Sequence, residues 1–526
     1  MGDIRTYEAR KRSALNRRHL IVLATDHPMT LGIQFLLHYL LEQHDLYEHF
    51  DFTGLLTSHA DFARIEEPYS SKESGFLLDY FLRNPPAVFG ISTIERCRKR
   101  LPALLPDIRR LVPKAIFIAG GIDASSNPEF YFGAGVDLVA LGDGEIPTTR
   151  LLRDLIAGRD REEIRRYPPA GFASPENPLA PAAISPEELP LPYYGQRLLT
   201  LSTEGLSPVS MDCSNPSHAQ FLNRAAAFDM YTQRGCTHQC SFCAQDLLSL
   251  YRSNNWRNSR RQPLANIANY LAKLKYEFPS KKWVYFWDLD FLRRPKAELL
   301  RFAEAYQQIV GLPFFIFVTE KSVNAAGEDV LRALAQAGMQ TINMGIQSGS
   351  QRILHQSYNR YNTPEECLRA IHVIHEATRA LPVEILYDVI TYNPEETAKD
   401  ILETIQLVRS IPTDGRQTIR LSTHKLSFNT GQDLSINISR HATKDYQDFL
   451  SEPDSLRHTQ VPYLSWLLGQ MMRGRVTASR IGNVRRSKLD ALLNEDMINR
   501  MTQAHSLISP LYDSLMPQDS EGFLKD

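Results

Sequence analysis

Short apolar segments alternate with helical patterns along most of the chain. Five such segments in the first part have the length and composition of buried strands, with amphipathic stretches such as LGIQFLLHYLLEQ (31–43) between them. They are HLIVLAT (19–25), FDFTGLL (50–56), AVFGIST (87–93), AIFIAG (115–120) and DLVALG (137–142). Continuous apolar strands separated by crossover helices predict a parallel sheet covered on both faces. We therefore predict a doubly wound, Rossmann-like α/β domain over residues 1–157.

A second alternating series follows a proline-rich stretch at residues 158–225, which we predict to be a linker. Six further strands are predicted, at 228–235, 283–290, 313–320, 341–348, 383–390 and 419–428. Six strand–helix units predict a partial (β/α)6 barrel of the TIM type over residues 226–430, with its site at the carboxyl ends of the strands. Residues 431–526 are predicted to form a mostly helical C-terminal region.

Composition narrows the class of protein. A chain of 526 residues is too long for one ordinary core. It has 59 basic and 60 acidic residues, so no net charge steers it toward nucleic acid. No apolar run reaches the roughly 18 residues that would cross a membrane. Six cysteines, three of them clustered, argue against a disulfide framework and for a reducing compartment. We expect a cytoplasmic protein that binds neither nucleic acid nor membranes.

Three of the cysteines lie in the segment RGCTHQCSFCAQ (234–245), as Cys236, Cys240 and Cys243. Three thiolates this close together suit a metal that prefers soft ligands. A closed zinc site takes four ligands, and His238 inside the segment leaves a Cys3His zinc site as an alternative, although the spacing is unusual for one. An iron–sulfur cluster bound by three cysteines leaves one iron open to a small molecule.

The CxxxCxxC spacing, with the aromatic Phe242 before the last cysteine and a barrel strand before the first, resembles the radical S-adenosylmethionine (SAM) enzymes. The resemblance implies a 4Fe–4S cluster on the three cysteines. It also implies that SAM binds the open iron and is cleaved to a 5′-deoxyadenosyl radical by one electron. An electron donor such as flavodoxin or ferredoxin is therefore an expected partner.

Other segments resemble the SAM-binding parts of that family. MGIQSGSQRIL (344–354) is similar to its fourth-strand segment, which implies SAM contacts from Gln347 and Ser348, with Gln347 where a glutamate is usual. Phe242 is implied as a further contact. The family's Gly-Gly-Glu is missing after the second strand; Asp288 and Asp290 of WDLDFL (287–292) replace it or are solvated turn residues.

Two weaker signals complete the barrel. YDVITYNPEET (387–397) resembles the family's fifth-strand motif, with Glu395 in place of a glycine. YRSNNWRNSRRQPL (251–264) carries four arginines, one of which could pair with the SAM carboxylate, or all could be solvated. Cys97, Cys213 and Cys367 stand alone and are predicted to be structural thiols.

The front domain and its proline-rich connection resemble the cobalamin-binding subgroup of these enzymes. Small and polar residues follow its strands, where glycine allows a close approach to a flat corrin. The resemblance implies cobalamin contacts from Pro28, Ser92, Gly120, Gly121, Gly142 and Gly144. The segment TDHPMTLG (25–32) lacks the Asp-x-His-x-x-Gly spacing, so we predict that His27 is no cobalt ligand. On the sheet pattern alone these residues are equally well explained as turns.

Together these features predict a cobalamin-dependent radical SAM enzyme that methylates an unactivated carbon of a small-molecule or peptide substrate. Three alternatives remain open at this point. First, the same cofactors serve enzymes that carry out cyclisation, ring contraction or oxidation without methyl transfer. Second, a radical SAM methylthiotransferase is possible, but that family carries three more cysteines in its N-terminal domain, and residues 1–157 contain only Cys97. Third, the chain is a non-catalytic sensor that only binds a cluster or cobalamin. The sequence does not decide whether the strand-end residues line a pocket; they are Trp287, Thr319, Asn343, Tyr387 and His424.

Overall fold

The computed structural model of the chain describes residues 19–26, 31–57, 67–94, 97–178, 189–202, 204–208, 227–236, 238, 240–243, 260–390, 398–412, 417–422 and 483–485. The chain divides into two compact units. The first comprises residues 1–235, 247–262 and 273–283, and the second comprises 236–246, 263–272 and 284–526. Within the described ranges, every helix is too short or too polar to span a lipid bilayer.

The first unit is built on a sheet with the strand order β6-β5-β4-β3-β1-β2-β7-β8. Its strands are β1 His19–Thr25, β2 Phe50–Leu56, β3 Val88–Ser92, β4 Ile116–Gly120, β5 Leu138–Ala140, β6 Phe172–Ala173, β7 Leu198–Ser202 and β8 Gly205–Pro208. The six central strands of this order, β5-β4-β3-β1-β2-β7, are all parallel to their neighbours. The edge strands β6 and β8 are antiparallel to β5 and β7. The five predicted strands are confirmed, and the order reverses at β1 and β3 as in a doubly wound sheet.

Helices cover both faces of this sheet. They are α1 Leu31–Leu41, α2 His44–Tyr47, α3 Ser71–Arg83, α4 Leu101–Leu111, α5 Ile122–Ser126, α6 Pro128–Gly133, α7 Glu145–Ile156 and α8 Arg161–Arg166. Successive strand residues point to opposite faces, so Val22 and Phe117 belong to one buried cluster, and Ile21 and Ile118 belong to the other. This two-sided burial explains why the strands are apolar throughout rather than alternating.

The proline-rich stretch that we predicted as a linker contributes to the sheet. Its described parts include helix α8 and the strands β6, β7 and β8. Strand β7 pairs in parallel with β2, and Leu198 packs so closely on Gly54 that a β-carbon there would lie 2.6 Å from Leu198 Cδ2. A strand in this position covers the edge of β2, which would otherwise present unpaired backbone groups.

Three short strands complete the first unit: β9 Ala227–Met230, β10 Gln233–Arg234 and β11 Arg260–Arg261. Strands β10 and β11 pair antiparallel. The strand predicted over 228–235 is therefore interrupted, and its second part turns aside to pair with β11. Helix α9 (Leu264–Glu277) follows and has residues in both units.

The second unit contains the remaining barrel strands: β12 Trp283–Phe286, β13 Phe314–Val318, β14 Met339–Gln347, β15 Glu384–Ile390 and β16 Gln417–Ser422. Each pairs in parallel with the next, and β17 (Asn483–Arg485) is antiparallel to β16. The helices are α10 Lys296–Ile309, α11 Glu320–Gln336, α12 Pro364–Thr378 and α13 Ala398–Arg409, with a π-helix at Ile353–Ser357. All six predicted barrel strands are present. Apart from β17, the predicted helical region at 431–526 lies outside the described residues.

The strands of the second unit have two distinct faces. Phe286 and Phe314 point toward helix α10, where their rings contact Phe302 and Tyr306. All four are fully buried or nearly so. The opposite face, which we call the inner face, carries Tyr285, Trp287, Phe315 and Phe317 from β12, β13 and the residue after β12. The helix side therefore forms the apolar core, and the inner face is available for other roles.

Candidate functional site

The three clustered cysteines lie on one loop of the second unit. Cys240 is buried, and Cys236 and Cys243 are partly exposed. The Cys243 backbone N–H donates to the Cys240 carbonyl oxygen at 2.9 Å, and the His238 backbone N–H donates to Cys236 Sγ at 3.4 Å. Burial raises the pKa of the Cys236 thiol, because a thiolate is poorly solvated there. Thr237 and Gln239 of the same loop are outside the described residues.

The loop is held against the segment that follows the π-helix. Ser241 donates through its backbone N–H to the Tyr358 carbonyl at 3.1 Å and through its hydroxyl to the Ser357 carbonyl at 2.5 Å. Phe242 packs edge-on against Tyr358 with ring centroids 4.9 Å apart. Because π-helical turns re-aim the residues after them, they are frequent at functional sites. These contacts give the cysteine loop a fixed position.

A buried ion pair lies beside the loop. Arg360 and Glu320 are 7% and 0% exposed, and the Arg360 guanidinium donates to both Glu320 and the Gly345 carbonyl, the latter at 2.8 Å. The positive charge of Arg360 interacts with Cys240. Arg360 Nε and Glu320 Oε1 have no hydrogen-bond partner in the described part of the chain. Sequence reasoning missed both residues.

The donor set of this loop fits an iron–sulfur cluster. Three cysteine thiols are soft ligands, and in a cluster each cysteine binds a different iron, so the sulfur atoms need not converge on one position. The positive charge of Arg360 next to three soft ligands also favours an anionic group at this loop.

Gln347 lies at the carboxyl end of β14 in an unusual backbone conformation. Its φ is 68°, and the pairing of β14 with β15 shifts register between Gly345 and Gln347. The Gln347 amide folds back over Gly345, where a β-carbon would overlap Gln347 Nε2. A non-glycine residue with positive φ costs about 1–3 kcal/mol and persists where the surroundings impose it. Gly345 thus makes room for the predicted SAM contact.

Ser348, the next predicted SAM contact, is engaged within its own turn. It is buried, its hydroxyl accepts from the Ser350 backbone N–H at 3.1 Å, and it lies 3.2 Å from the Thr404 hydroxyl. Thr404 also receives the Gly349 N–H at 2.8 Å. These bonds tie the end of β14 to helix α13, so the geometry gives Ser348 a structural part in shaping the turn.

Asp288 and Asp290 follow β12 and are both buried, so the interpretation as solvated turn residues is wrong. Asp290 accepts from the Thr319 hydroxyl at 2.8 Å and from the Ser322 hydroxyl at 2.5 Å. Thr319 also caps the first turn of helix α11. Burial raises the pKa of Asp290 to about 6, against an ordinary value of 3.8. Asp290 therefore links the end of β12 to the start of α11.

In the first unit, five of the six predicted cobalamin contacts lie at the carboxyl ends of the strands, and Pro28 lies outside the described residues, as does His27. Ser92 and Gly120 end β3 and β4. Gly121 has a φ of 95°, and a β-carbon there would lie 3.2 Å from Ser92 Oγ. Gly142, with a φ of 94°, donates its N–H to Ser125 Oγ at 3.1 Å. This edge includes the topological switch point, where ligands of such sheets bind.

An ion pair in the first unit ties strand β10 to this edge. Arg234 is partly buried and donates to Glu145 at 2.7 Å, lies 3.5 Å from Asp143, and stacks over Phe35 at 4.9 Å. Glu145 and Asp143 flank Gly144, and Arg234 precedes Cys236 by two residues. Sequence reasoning noted the glycines of GDGE (142–145) but missed its acidic residues, because their partner is distant in the sequence.

Comparison with known proteins identifies the second series of strands. Residues 230–408 match the family model of the radical SAM superfamily. Over 340 residues the chain is 22% identical to the "Uncharacterized methyltransferase PH0819" of Pyrococcus horikoshii, covering 63% of this chain and 66% of that protein. This match confirms the predicted resemblance of the barrel region to radical SAM enzymes.

Two solved structures share the fold. OxsB, a cobalamin-dependent SAM radical enzyme solved with aqua-cobalamin, aligns with a TM-score of 0.56 and 14% identity over 84% of this chain and 57% of that one. TsrM of Kitasatospora setae, a radical SAM methyltransferase, aligns with a TM-score of 0.55 and 15% identity over 80% and 75% when solved with cobalamin and a [4Fe-4S] cluster. A TsrM structure with tryptophan substrate and a SAM analogue gives a TM-score of 0.57 and 15% identity over 80% and 76%.

These likenesses confirm the predicted fold class, a Rossmann-like domain followed by a TIM-type radical SAM barrel. They also agree with the predicted cofactors, since the radical SAM family uses a 4Fe–4S cluster and SAM, and the two neighbours were solved with cobalamin. The chain spans only about two thirds of the archaeal relative and 57% of OxsB. At 14–15% identity the shared property is the fold.

The burial of Asp290 predicts a pH-dependent stability. Its folded-state pKa, about 6, lies above the ordinary 3.8, so the folded protein binds this proton more tightly and loses stability as the pH rises between these values. Asp290→Asn removes that term while its amide still bonds Thr319 and Ser322. We expect the stability of wild type relative to the variant to fall by about 2 kcal/mol from pH 4 to pH 7, measured by chemical denaturation.

Asp329 is a control, because its contribution to stability changes with pH in the direction opposite to that of Asp290. It is about half exposed and paired with Lys296 at 2.7 Å, and that hydrogen bond lowers its pKa. The contribution of Asp329 is therefore lost as the pH falls, and Asp329→Asn becomes less harmful under acid conditions. A wild-type advantage over Asp290→Asn that stays constant from pH 4 to pH 7 would contradict the buried, raised carboxyl.

Proposed function

Starting from the radical SAM domain, we propose that this chain is a cobalamin-dependent radical SAM enzyme that methylates an unactivated carbon of a small-molecule or peptide substrate. The observation that carries the proposal is the cysteine loop, which is fixed by Ser241 against Tyr358 and lies beside the buried charge of Arg360. The front sheet supports the second cofactor, because small residues occupy its carboxyl edge. The name of the archaeal relative supports methyl transfer.

In this proposal Cys236, Cys240 and Cys243 would hold the cluster and leave one iron open to SAM. When bound, the cluster would pass an electron from the external donor to SAM, which would supply a carbon-centred radical, and cobalamin would supply the methyl group. The chain's own residues do the remaining work. The hydrogen bonds of Ser241 orient the thiolates, and the charge of Arg360 stabilises negative charge on them.

We assign the SAM contacts to the end of β14 and the cysteine loop. Gln347 can accept from one ribose hydroxyl and donate to the other, since an amide has both functions. Gly345 provides the space for its amide. Phe242 contributes an apolar surface from the loop itself, and Asp288 stands where the missing Gly-Gly-Glu would hold the SAM amino group. Asp290 acts through Thr319 and Ser322 as a positioning residue.

We assign cobalamin to the carboxyl edge of the first sheet. Ser92 and the glycines at 120, 121, 142 and 144 leave the backbone accessible to a flat macrocycle. The segment TDHPMTLG (25–32) lacks the Asp-x-His-x-x-Gly spacing, so His27 is not proposed as a cobalt ligand. A flavodoxin or ferredoxin is the proposed electron donor, and no nucleic acid or membrane is involved.

The cluster assignment predicts a specific loss of iron. Anaerobic reconstitution is expected to give about four iron per chain, and Cys236→Ala, Cys240→Ala or Cys243→Ala each to lose most of it. Cys97→Ala is the matched control, because this thiol is buried in the first unit and lies outside the loop. Iron analysis and electron paramagnetic resonance measure the outcome. Retention of the full cluster in all three loop variants would refute the assignment.

The products of the reduced protein distinguish the proposed reaction from its alternatives. With SAM, cobalamin and a strong reductant, we expect both 5′-deoxyadenosine and S-adenosylhomocysteine, quantified by mass spectrometry. Deoxyadenosine without S-adenosylhomocysteine would favour cyclisation, ring contraction or oxidation. Neither product, in a protein that holds its cluster, would favour a sensor.

The fold of Gln347 over Gly345 predicts that two different substitutions have one effect. Gly345→Ala displaces the Gln347 amide, so Gly345→Ala and Gln347→Ala should each weaken SAM binding about tenfold, and the double variant no further. Gln347→Glu should keep most of the affinity. Gly75→Ala is the control, because a β-carbon there meets nothing within 4 Å. Isothermal titration of SAM measures all of these; wild-type affinity in Gly345→Ala would contradict the assignment.

The cobalamin assignment predicts that bulk at the first edge excludes the corrin. Gly144 has an ordinary φ of −87°, so Gly144→Leu adds a side chain without backbone strain. We expect Gly144→Leu to lose the corrin absorption spectrum after purification with cobalamin, while its iron content stays that of wild type. Gly133→Leu, at an exposed helix end with open space, is the matched control. Equal corrin absorption in both variants would exclude this edge.

A further inference from the structure

The inner face of the second unit divides into an aromatic and a polar half. Tyr285 and Trp287 stack with ring centroids 5.7 Å apart and planes 17° from parallel. Phe317 lies 5.7 Å from Trp287 and 4.6 Å from Phe315. Tyr285, Trp287 and Phe317 are partly exposed, whereas their sequence neighbours on the helix side are buried. These four rings form what we call the aromatic wall.

The neighbouring strands place polar groups beside this wall. Phe317 pairs with Asn343, and Gly345 pairs with Asp388, so Asn343 and Asp388 lie on the inner face. Asn343 Nδ2 donates to Asp388 Oδ2 at 3.0 Å. Two of the strand-end residues named from the sequence lie away from the inner face: Tyr387 points to the helix side, and Thr319 caps α11. Trp287 and Asn343 do lie on the inner face. His424 lies outside the described residues.

The orientation of the Asn343 amide leaves a buried acceptor. An ionised carboxylate only accepts hydrogen bonds, so Asn343 must turn its NH2 group toward Asp388. Among the residues that the structure describes, its oxygen Oδ1 then has no hydrogen-bond partner, although the residue is only 1% exposed. A buried acceptor without a donor is costly, and a ligand N–H can supply the missing donor. Asp388 beside it is half-buried and adds negative charge.

We propose that the inner face binds the substrate, and that the substrate is a planar unsaturated ring with N–H donors at its edge. The ring packs on the aromatic wall, and the donors reach Asp388 and the oxygen of Asn343. Stacking on aromatic rings and charge-assisted hydrogen bonds to a carboxylate act together to select this class. The proposal rests on the proposed function, since it identifies the substrate class of that same enzyme.

A filled barrel core is the competing explanation of the aromatic wall. In a closed (β/α)8 barrel the interior is packed with branched aliphatic side chains. Here the inner positions of β12 and β13 are aromatic, three of the four rings retain exposure, and the adjacent strands carry an amide and a carboxylate. A packed core would leave the Asn343 oxygen without a donor among the described residues, whereas a ligand with N–H groups at its edge would donate to it.

The adenine of SAM is a second planar group with N–H donors, so the test keeps SAM saturating. The probe is benzamidine, which combines a flat ring with an edge of N–H donors. Its affinity for the cluster-loaded, SAM-saturated protein is measured by ligand-observed NMR. Cyclohexanecarboxamidine keeps the donors without the flat ring, and benzoate keeps the ring without the donors. We expect benzamidine to bind about tenfold more tightly than either analogue.

Variants locate the binding. Trp287→Leu and Asp388→Asn should each weaken benzamidine about tenfold without changing SAM affinity. Tyr276→Leu, on helix α9 and 89% exposed, is the control and should bind benzamidine as wild type does. Circular dichroism confirms that each variant is folded, and Phe317→Leu replaces Trp287→Leu if that one unfolds.

Two results would overturn the substrate assignment. If benzamidine binds only in the absence of SAM, the inner face belongs to the adenosyl group. If the variants and wild type bind it equally, the ligand lies elsewhere. Both results are independent of the proposed function, which fails instead when the protein takes up no cluster or forms no deoxyadenosine.

Discussion

The site depends on the burial of Arg360 beside the cysteine loop. A guanidinium taken out of water is costly unless negative charge and acceptors surround it. That environment comes from three elements: Glu320 belongs to α11, the Gly345 carbonyl to β14 and Cys240 to the loop. One charge therefore fixes the relative positions of three elements. The same charge suits thiolates that carry an anionic cluster, so structural and chemical requirements coincide in this residue.

In the first unit, backbone conformation rather than a buried charge shapes the carboxyl edge of the sheet. Gly121 and Gly142 adopt positive φ values there, which residues with a side chain disfavour. Within the first unit, the ion pair of Arg234 with Glu145 then ties strand β10 to this edge.

The sequence predicted the strands well because buried parallel strands are continuous apolar runs. It suggests the cluster ligands because their spacing is local, and that assignment stays a prediction. It missed β7 and β8, since proline-rich composition outweighed the short run RLLTLS (197–202). It missed Arg360, Glu320 and Arg234 for a different reason. Charged residues are usually solvated, and burial is revealed only by a partner that is close in space; Glu320 and Arg360 are 40 residues apart in the sequence. The hydroxyl partners of Asp290 were not foreseen either.

The strand sequences WVYFWD (283–288) and FFIFV (314–318) show why the inner face required a structure. The first is apolar except for Asp288 and the second is apolar throughout, a pattern that predicts a strand buried on both faces. In the fold, only the helix side is a filled core, where Phe286 and Phe314 pack against α10. On the other side, three of the four rings retain exposure, and Asn343 and Asp388 lie on the adjacent strands. Partly exposed aromatic side chains beside hydrogen-bonding groups have the composition of a ligand-binding surface, so one hydrophobic pattern can encode a core on one side of a strand and recognition on the other.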